Sequence, residues 1–412
     1  MAGLSLAALR HRDFSLYVTS SFLWTIAMSV QAFALAWQMY HITGDEFLFG
    51  LVGLVEFLPA ALLALPAGHI ADRYDRRRIL LLGIALELAT AIVLLAFAAS
   101  DRMSVAVILL IAFSFGIARA IANPAARAMM PSLVPKQDLS SGVAWNSTCW
   151  QVAVICGPGL GGLLYAVAPS YAYGATALAL VGALAATIAM RGRTVEPSSQ
   201  ESASAGSLET LLAGLTLIRR NKLLLGAISL DLFAVLFSSA TALIVVFAQD
   251  VLLVDVDWAA LLRTIQGVGA GITAAVLTQL PLRRHVGARL FAAVAVFGVA
   301  SVAFGFSRDY WLSACAVFVL GAADMVSVYV RGTLVPLATP DALRGRVVAV
   351  EAVFIGASNE LGMFVAGSSA ALVGPVAAVV AGGSLTLGVT LLWARLFPSL
   401  RRVDRFEDVQ VS

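Results

Sequence analysis

Charge is scarce in this sequence. Asp, Glu, Lys and Arg together make up 12% of its 412 residues, about half the share usual in soluble globular proteins. Apolar residues supply 60%, more than a water-soluble interior of this length can hide, so lipid is the solvent for most of the chain. Cysteine and histidine are nearly missing too, at three and four residues. That excludes a disulfide-stapled secreted scaffold. The histidines stand apart at 11, 41, 69 and 285, so no metal site is expected. Cys149 and Cys156 lie seven residues apart along one helix, too far to bond, and with Cys315 they read as small buried apolar side chains. A net charge of +3 offers no field for nucleic acid. No Gly-x-x-x-x-Gly-Lys-Ser/Thr loop occurs, which argues against direct use of ATP. No His-Glu-x-x-His or Gly-x-Ser-x-Gly pattern occurs either, so the chain reads as a non-enzyme without a cofactor.

What the sequence has in abundance is apolar runs long enough to cross a bilayer, which takes about 20 residues each. Twelve are placed at 14–40, 47–71, 79–100, 103–123, 142–168, 171–190, 222–249, 257–281, 290–307, 310–336, 347–370 and 375–397. With the first residues on the cytoplasmic side, 21 of the 27 Lys and Arg fall in cytoplasmic segments. Positive residues favour that side, so both termini are expected inside a multi-pass protein of the inner or plasma membrane. Residues 1–12 read as a polar lead, and the run after them is too long for a cleaved signal.

The runs fall into two sets of six, and the chain repeats itself accordingly. Arg127 to Val143 and Arg331 to Val347 share their prolines: Pro131 and Pro135 match Pro336 and Pro340 at an offset of 205. The expected organisation is a six-helix bundle over 1–191, a linker over 192–221 and a second bundle with a tail over 222–412. The linker opens with a Ser/Glu/Gly stretch without apolar periodicity. From Leu208 it becomes amphipathic, a helix expected to lie along the inner membrane surface.

The segment Gly68 to Leu80, GHIADRYDRRRIL, crowds four arginines and two aspartates into the turn between spans two and three. With Gly68, Asp72, Arg73, Arg76 and Arg77 it resembles the signature of the major facilitator superfamily, with Asp75 in place of a glycine. Asn123-Pro124-Ala125-Ala126, Leu133-Val134-Pro135 and the run Gly157, Pro158, Gly159, Leu160, Gly161, Gly162 are similar to the drug:proton antiporter group that contains the enterobactin exporter and macrolide efflux proteins. The resemblance implies an all-α protein of 12 transmembrane helices in two six-helix bundles. It implies a cytoplasmic gate at the signature residues, and export of an amphipathic or hydrophobic small molecule by proton antiport. Gly157, Pro158, Gly161 and Gly162 then serve close helix packing.

Six carboxylates lie within spans: Glu56, Glu87, Asp231, Asp324, Glu351 and Glu360. Each costs about 2.5–3.5 kcal/mol or more at the bilayer centre and so faces a cavity or a partner. Glu56 has small neighbours and few local partners in view, and is the favoured proton-coupling residue, followed by Asp231 and Asp324, with Glu360 a further candidate. Glu87, on a peripheral span, and Glu351, near a span end, read as structural, Glu351 either snorkelling to the membrane edge or neutralising a nearby arginine. At helical spacing Trp24, Gln31 and Gln38 share one face of span one, and Asp231, Ser238 and Gln249 share one face of span seven. These stripes, with Arg119, are the substrate-cavity candidates. Asp324 and Arg331, about two turns apart on span ten, could pair directly or through water. The expected partners are a small-molecule substrate, protons and the lipid bilayer, with the protein working as a monomer. A lipid or lysolipid translocase and an uncoupled facilitator are the alternatives.

Overall fold

A computed structural model describes residues 7–191 and 208–409, apart from the side chains of 64–73, 136, 208–213, 341–342, 349 and 352. Every long element among the described residues is a helix. The first six are α1 (Arg12–Thr43), α2 (Glu46–Arg73), α3 (Arg76–Ala99), α4 (Val105–Met129), α5 (Leu139–Val167) and α6 (Pro169–Ala189). Polar residues in the connecting turns open α3 and α4. Asp75 accepts a hydrogen bond from Arg77 N at 2.9 Å to cap α3, and Ser104 accepts from Val107 N at 3.4 Å to cap α4. Large apolar side chains such as Leu110, Leu178 and Leu62 stay more than three-fifths exposed. In water such surfaces would drive aggregation; facing acyl chains they cost nothing.

After α7 (Leu208–Arg220), the seventh apolar run departs from the expected single span. It forms three pieces, α8 (Lys222–Phe237), α9 (Ser239–Ala242) and α10 (Ile244–Asp250). Eleven uninterrupted helices among the described residues are long and apolar enough to cross a membrane; the twelfth crossing is this segmented one. Ser238 interrupts the helical backbone between α8 and α9, and Leu243 interrupts it between α9 and α10. A backbone carbonyl freed in lipid must find another donor, and Arg263 supplies one to Thr241 O at 2.7 Å. The break also undoes the continuous 3.6-residue face assumed for Asp231, Ser238 and Gln249. The remaining helices are α11 (Val256–Gln279), α12 (Val286–Phe306), α13 (Tyr310–Leu337), α14 (Asp341–Val373), α15 (Pro375–Leu396) and the short α16 (Pro398–Arg401).

Contacts divide the chain into two units. The first holds residues up to Ile42, Val55–Gly206 and Val256–Leu261; the second holds Thr43–Leu54, Ser207–Asp255 and the chain from Leu262. The division thus runs within α2 and α11, and not only at the linker. In the first unit α3 packs against α4 and α6, and Phe14, Tyr17, Trp24, Ile84, Met129 and Leu180 meet in one buried core. In the second, α12 packs on α13 and α15, while α8 packs on α14. The amphipathic α7 docks on α14, where Gly214 closes on the Arg346 carbonyl and Ile218 is buried with Val347 and Val350. Its apolar side therefore has a protein partner, a correction to the expectation of a purely membrane-lying helix. The tail folds back on α12. Val286 N donates to Asp404 O at 3.1 Å and Gly287 N to Val403 O at 2.9 Å, satisfying donors that open α12. Cys156 and Cys315 are exposed on helix surfaces, not buried as expected, and all three cysteines are free thiols.

Small residues set how closely helices approach. A Cβ on Gly321 of α13 would lie 1.9 Å from Gln266 O of α11, and one on Gly269 of α11 would lie 2.2 Å from Phe318 O of α13. This reciprocal contact brings two backbones together and leaves no room for a methyl group. Gly321→Ala should destabilise the protein by about 1–3 kcal/mol through overpacking, read as a lowered melting temperature in detergent. An unchanged melting temperature would contradict the packing described.

Candidate functional site

In the second unit three helices place charges around one guanidinium. Arg331 of α13 is 5% exposed. Its two terminal nitrogens reach Asp231 of α8 at 2.8 Å and Glu351 of α14 at 3.4 Å. Ile228, Leu232, Phe354, Ile355 and Ser358 complete the wall of the small cleft in which these three side chains meet. Asp324, on α13 itself, feels the charges of Asp231 and Arg331. Of the two pairings open to Asp324 and Arg331, the direct one does not form. Two turns of one helix hold their backbones about 10 Å apart, whereas the neighbouring helices bring carboxylates to Arg331 at contact distance. Of the two roles open to Glu351 near a span end, the structure shows the pairing with an arginine. The contacts set two carboxylates against one cation, so the group is neutral only when one of the two is ionised.

The first unit repeats the theme with other residues. Glu56 of α2 forms an ion pair with Arg119 of α4, which also lies over the Phe115 ring at 5.9 Å. Glu56 is therefore not short of local partners, contrary to the sequence reading. The Arg119 backbone lies 63 residues away in sequence, so local spacing carried no sign of it. Glu87 of α3 is fully buried and accepts a hydrogen bond from the Trp24 indole, while its Oε1 has no hydrogen-bond partner. It also feels the charges of Arg119 and Glu56. Trp24 and Gln38, expected to line a cavity, are instead engaged inside the unit. Trp24 joins the core and Gln38 accepts from Tyr173 of α6. Gln31 is 1% exposed with neither amide atom hydrogen-bonded, and Ser238, at the break after α8, is 3% exposed with an unbonded hydroxyl. Glu360 lies part-buried on α14, where its carbonyl faces Gly53 of α2. It is separate from the Arg331 group, as nine residues of helix require.

Of the expected gate motif, the side chains of Gly68, Asp72 and Arg73 lie outside the described residues. Arg76 donates to Ala128 O at 3.0 Å and Arg77 to Thr187 O at 3.0 Å. Both arginines thereby cap carbonyls in the last turns of α4 and α6, where the helix dipole favours a cation. Asp75, with φ −58°, needs no glycine-like backbone and gains a capping role in exchange. The glycines of α5 work as packing residues. A Cβ on Gly157 would meet Ser29 at 2.3 Å, one on Gly161 the Val30 carbonyl at 3.0 Å, and one on Gly162 Ala260 at 2.1 Å. Pro158 is buried between them.

Removing Arg331 would strand its carboxylates in an apolar surrounding. Arg331→Met should cost about 3–5 kcal/mol of stability, and adding Asp231→Asn should restore part of it because the same charge imbalance is relieved. Thermal unfolding of both variants checks this; a double variant no more stable than Arg331→Met would refute the coupling.

Residues 4–410 match the transmembrane secretion effector family. Macrolide efflux protein A of Streptococcus pyogenes is 24% identical over 199 residues, 48% of this chain and 49% of that protein. The staphyloferrin A transporter of Staphylococcus aureus is 28% identical over 152 residues, 37% of this chain and 38% of that protein. The chain thus spans about half or less of the length of these curated relatives. Among solved structures, a POT family transporter in complex with 5-aminolevulinic acid superposes with a TM-score of 0.70 at 14% identity, covering 94% of this chain and 96% of the other. That likeness concerns the fold alone. Matched over nearly its whole length, the chain is a multi-pass membrane protein that belongs to the transmembrane secretion effector family, within the major facilitator superfamily.

Proposed function

We propose that the protein exports an amphipathic or hydrophobic small molecule, drug-like or siderophore-like, in exchange for protons by alternating access. Family membership and the name of macrolide efflux protein A support transport out of the cell, and the name of the staphyloferrin A transporter supports a siderophore-like cargo. The observation that carries proton coupling is the Arg331 group, two carboxylates from neighbouring helices sharing one buried guanidinium. In such a group adding or removing a proton changes which ion pairs can form, and the packing of α8, α13 and α14 follows. A substrate that binds when Asp231 or Asp324 is ionised and leaves when it is protonated makes proton uptake and export alternatives. In this reading Ser238, at a break in the seventh crossing, contacts the substrate, which its unbonded hydroxyl supports. In this reading the protein sits as a monomer in the inner or plasma membrane, with both termini in the cytoplasm. Gly68, Asp72, Arg73, Arg76 and Arg77 form the cytoplasmic gate.

The test is uptake into proteoliposomes of everted orientation with an imposed pH gradient, across a panel of macrolides, siderophores and lysolipids. Gradient-driven accumulation should appear for at least one non-lipid compound and collapse with a protonophore. Asp324→Asn should abolish that accumulation while retaining substrate binding, because the amide copies the neutral acid in size. Movement indifferent to the gradient would establish an uncoupled facilitator, and movement of lysolipid alone a lipid translocase. Asp72→Asn should lower turnover more than affinity, as expected of a gate that never touches cargo; equal loss of affinity in detergent, with folding intact, would remove it from that role.

A further inference from the structure

Of the arginines inside spans, Arg119 meets Glu56, and Arg331 meets Asp231 and Glu351. Arg263 of α11 is different. Its backbone lies seven residues past the start of α11 at Val256, about 10 Å along the axis. Yet no carboxylate among the described residues stands within ion-pair distance of it. Asp257, in the first turn of the same helix, accepts from the Trp258 amide at 2.9 Å. What holds Arg263 is a single nitrogen, Nη1, which donates to Thr241 O at 2.7 Å and to Gln266 Oε1 at 3.2 Å. Both hydrogens of that nitrogen are thereby used. Nε and Nη2 have no acceptor among the described residues, and the side chain is exposed. An exposed guanidinium at this depth is costly against acyl chains, so it faces water or an anion.

The two contacts of Nη1 fix the plane of the guanidinium. The edge formed by Nε–H and one Nη2 hydrogen is left open, and that edge binds a carboxylate through two parallel hydrogen bonds. Thr241 belongs to α9, the four-residue piece that opens at Ser238. The Ser238 hydroxyl is buried and has no hydrogen-bond partner. Arg263 is therefore tied to the same short segment as the substrate contact assigned above. We propose that Arg263 docks a carboxylate of the transported molecule on its Nε–Nη2 edge, so that the cargo supplies the negative charge the protein withholds. The cargo is then an amphipathic acid. That it is cargo rests on the export reading; that Arg263 binds a carboxylate does not. A phospholipid phosphate carries similar oxygens, and the experiment separates the two.

Phenylglyoxal modifies exposed arginines, and peptide mass spectrometry reads its rate at Arg263 in the full chain reconstituted in phosphatidylcholine vesicles. Two amphipathic acids, fusidate and 1-naphthylacetate, are compared with their methyl esters. At least one acid should slow modification of Arg263 severalfold while its ester leaves the rate unchanged. Arg284, exposed in the turn before α12, should react at one rate throughout. Arg263→Lys keeps a donor for Thr241 O but has no fork, so calorimetry should show it binding the protecting acid roughly tenfold more weakly at an unchanged melting temperature. An arginine that only mends the helix break would react at one rate with or without acid. That result overturns the proposal, as do equal protection by acid and ester and undiminished binding in Arg263→Lys. Protection on adding phosphatidylglycerol to the vesicles, with none from either acid, also overturns it and makes Arg263 a lipid contact. Should Arg263→Lys fail to fold, protection of the unaltered chain decides alone. If an acid protects Arg263 while no compound is moved in the transport test, the carboxylate site stands and the export reading falls. If compounds are exported while neither acid protects Arg263, the site falls and the export reading survives.

Discussion

A buried guanidinium in a medium without water must be met by carboxylates, and much of this molecule is arranged around that demand. Arg119 and Arg331 are the two instances. Each draws acidic residues from separate helices, α2 toward α4 in one unit, α8 and α14 toward α13 in the other. Such pairs are not strong sources of stability, because desolvation offsets most of the attraction. What they provide is a requirement for particular neighbours, and Arg331 is met by two carboxylates where one would neutralise it. An excess of carboxylate around one cation has more than one way of being neutral.

The same rule applies to the backbone. In lipid every amide and carbonyl needs an internal partner, which is why long helices fill the chain and why their irregularities are each compensated. Arg263 donates to the carbonyl freed in the broken seventh crossing. Arg76 and Arg77 close the last turns of α4 and α6. The tail carbonyls of Val403 and Asp404 satisfy the opening amides of α12. Arginine thus serves three purposes here: ion pairing in the interior, repair of a helix break, and capping at helix ends.

Without a hydrophobic force between helices, close packing itself has to hold them. Gly269 with Gly321, and Gly157, Gly161 and Gly162 of α5, allow backbones to approach where any side chain would collide. The signature that made α5 resemble an antiporter motif is, in the structure, a set of contacts to Ser29, Val30 and Ala260. Resemblance and packing are therefore two descriptions of the same glycines.

Fold class was legible in the sequence because it follows from composition and run length. Sixty per cent apolar residues and 12% charged ones leave no solvent but lipid, and the span positions need only the 1.5 Å rise of a helix. The caps were equally local, with Asp75 and Ser104 standing next to the amides they accept from. Site geometry was not local. The sequence named Glu56, Asp231 and Asp324 as costly charges but not their partners, since Arg119 is 63 residues from Glu56 and Arg331 is 100 from Asp231. It joined Asp324 to Arg331 by helical angle, while an arginine side chain turns to the nearer carboxylates of neighbouring helices. It treated Glu87 as peripheral, because nothing in its surroundings along the chain announces the Trp24 indole. Which residues must be buried is decided by the free energy of transfer of each residue alone; which of them meet is decided only when separate helices pack.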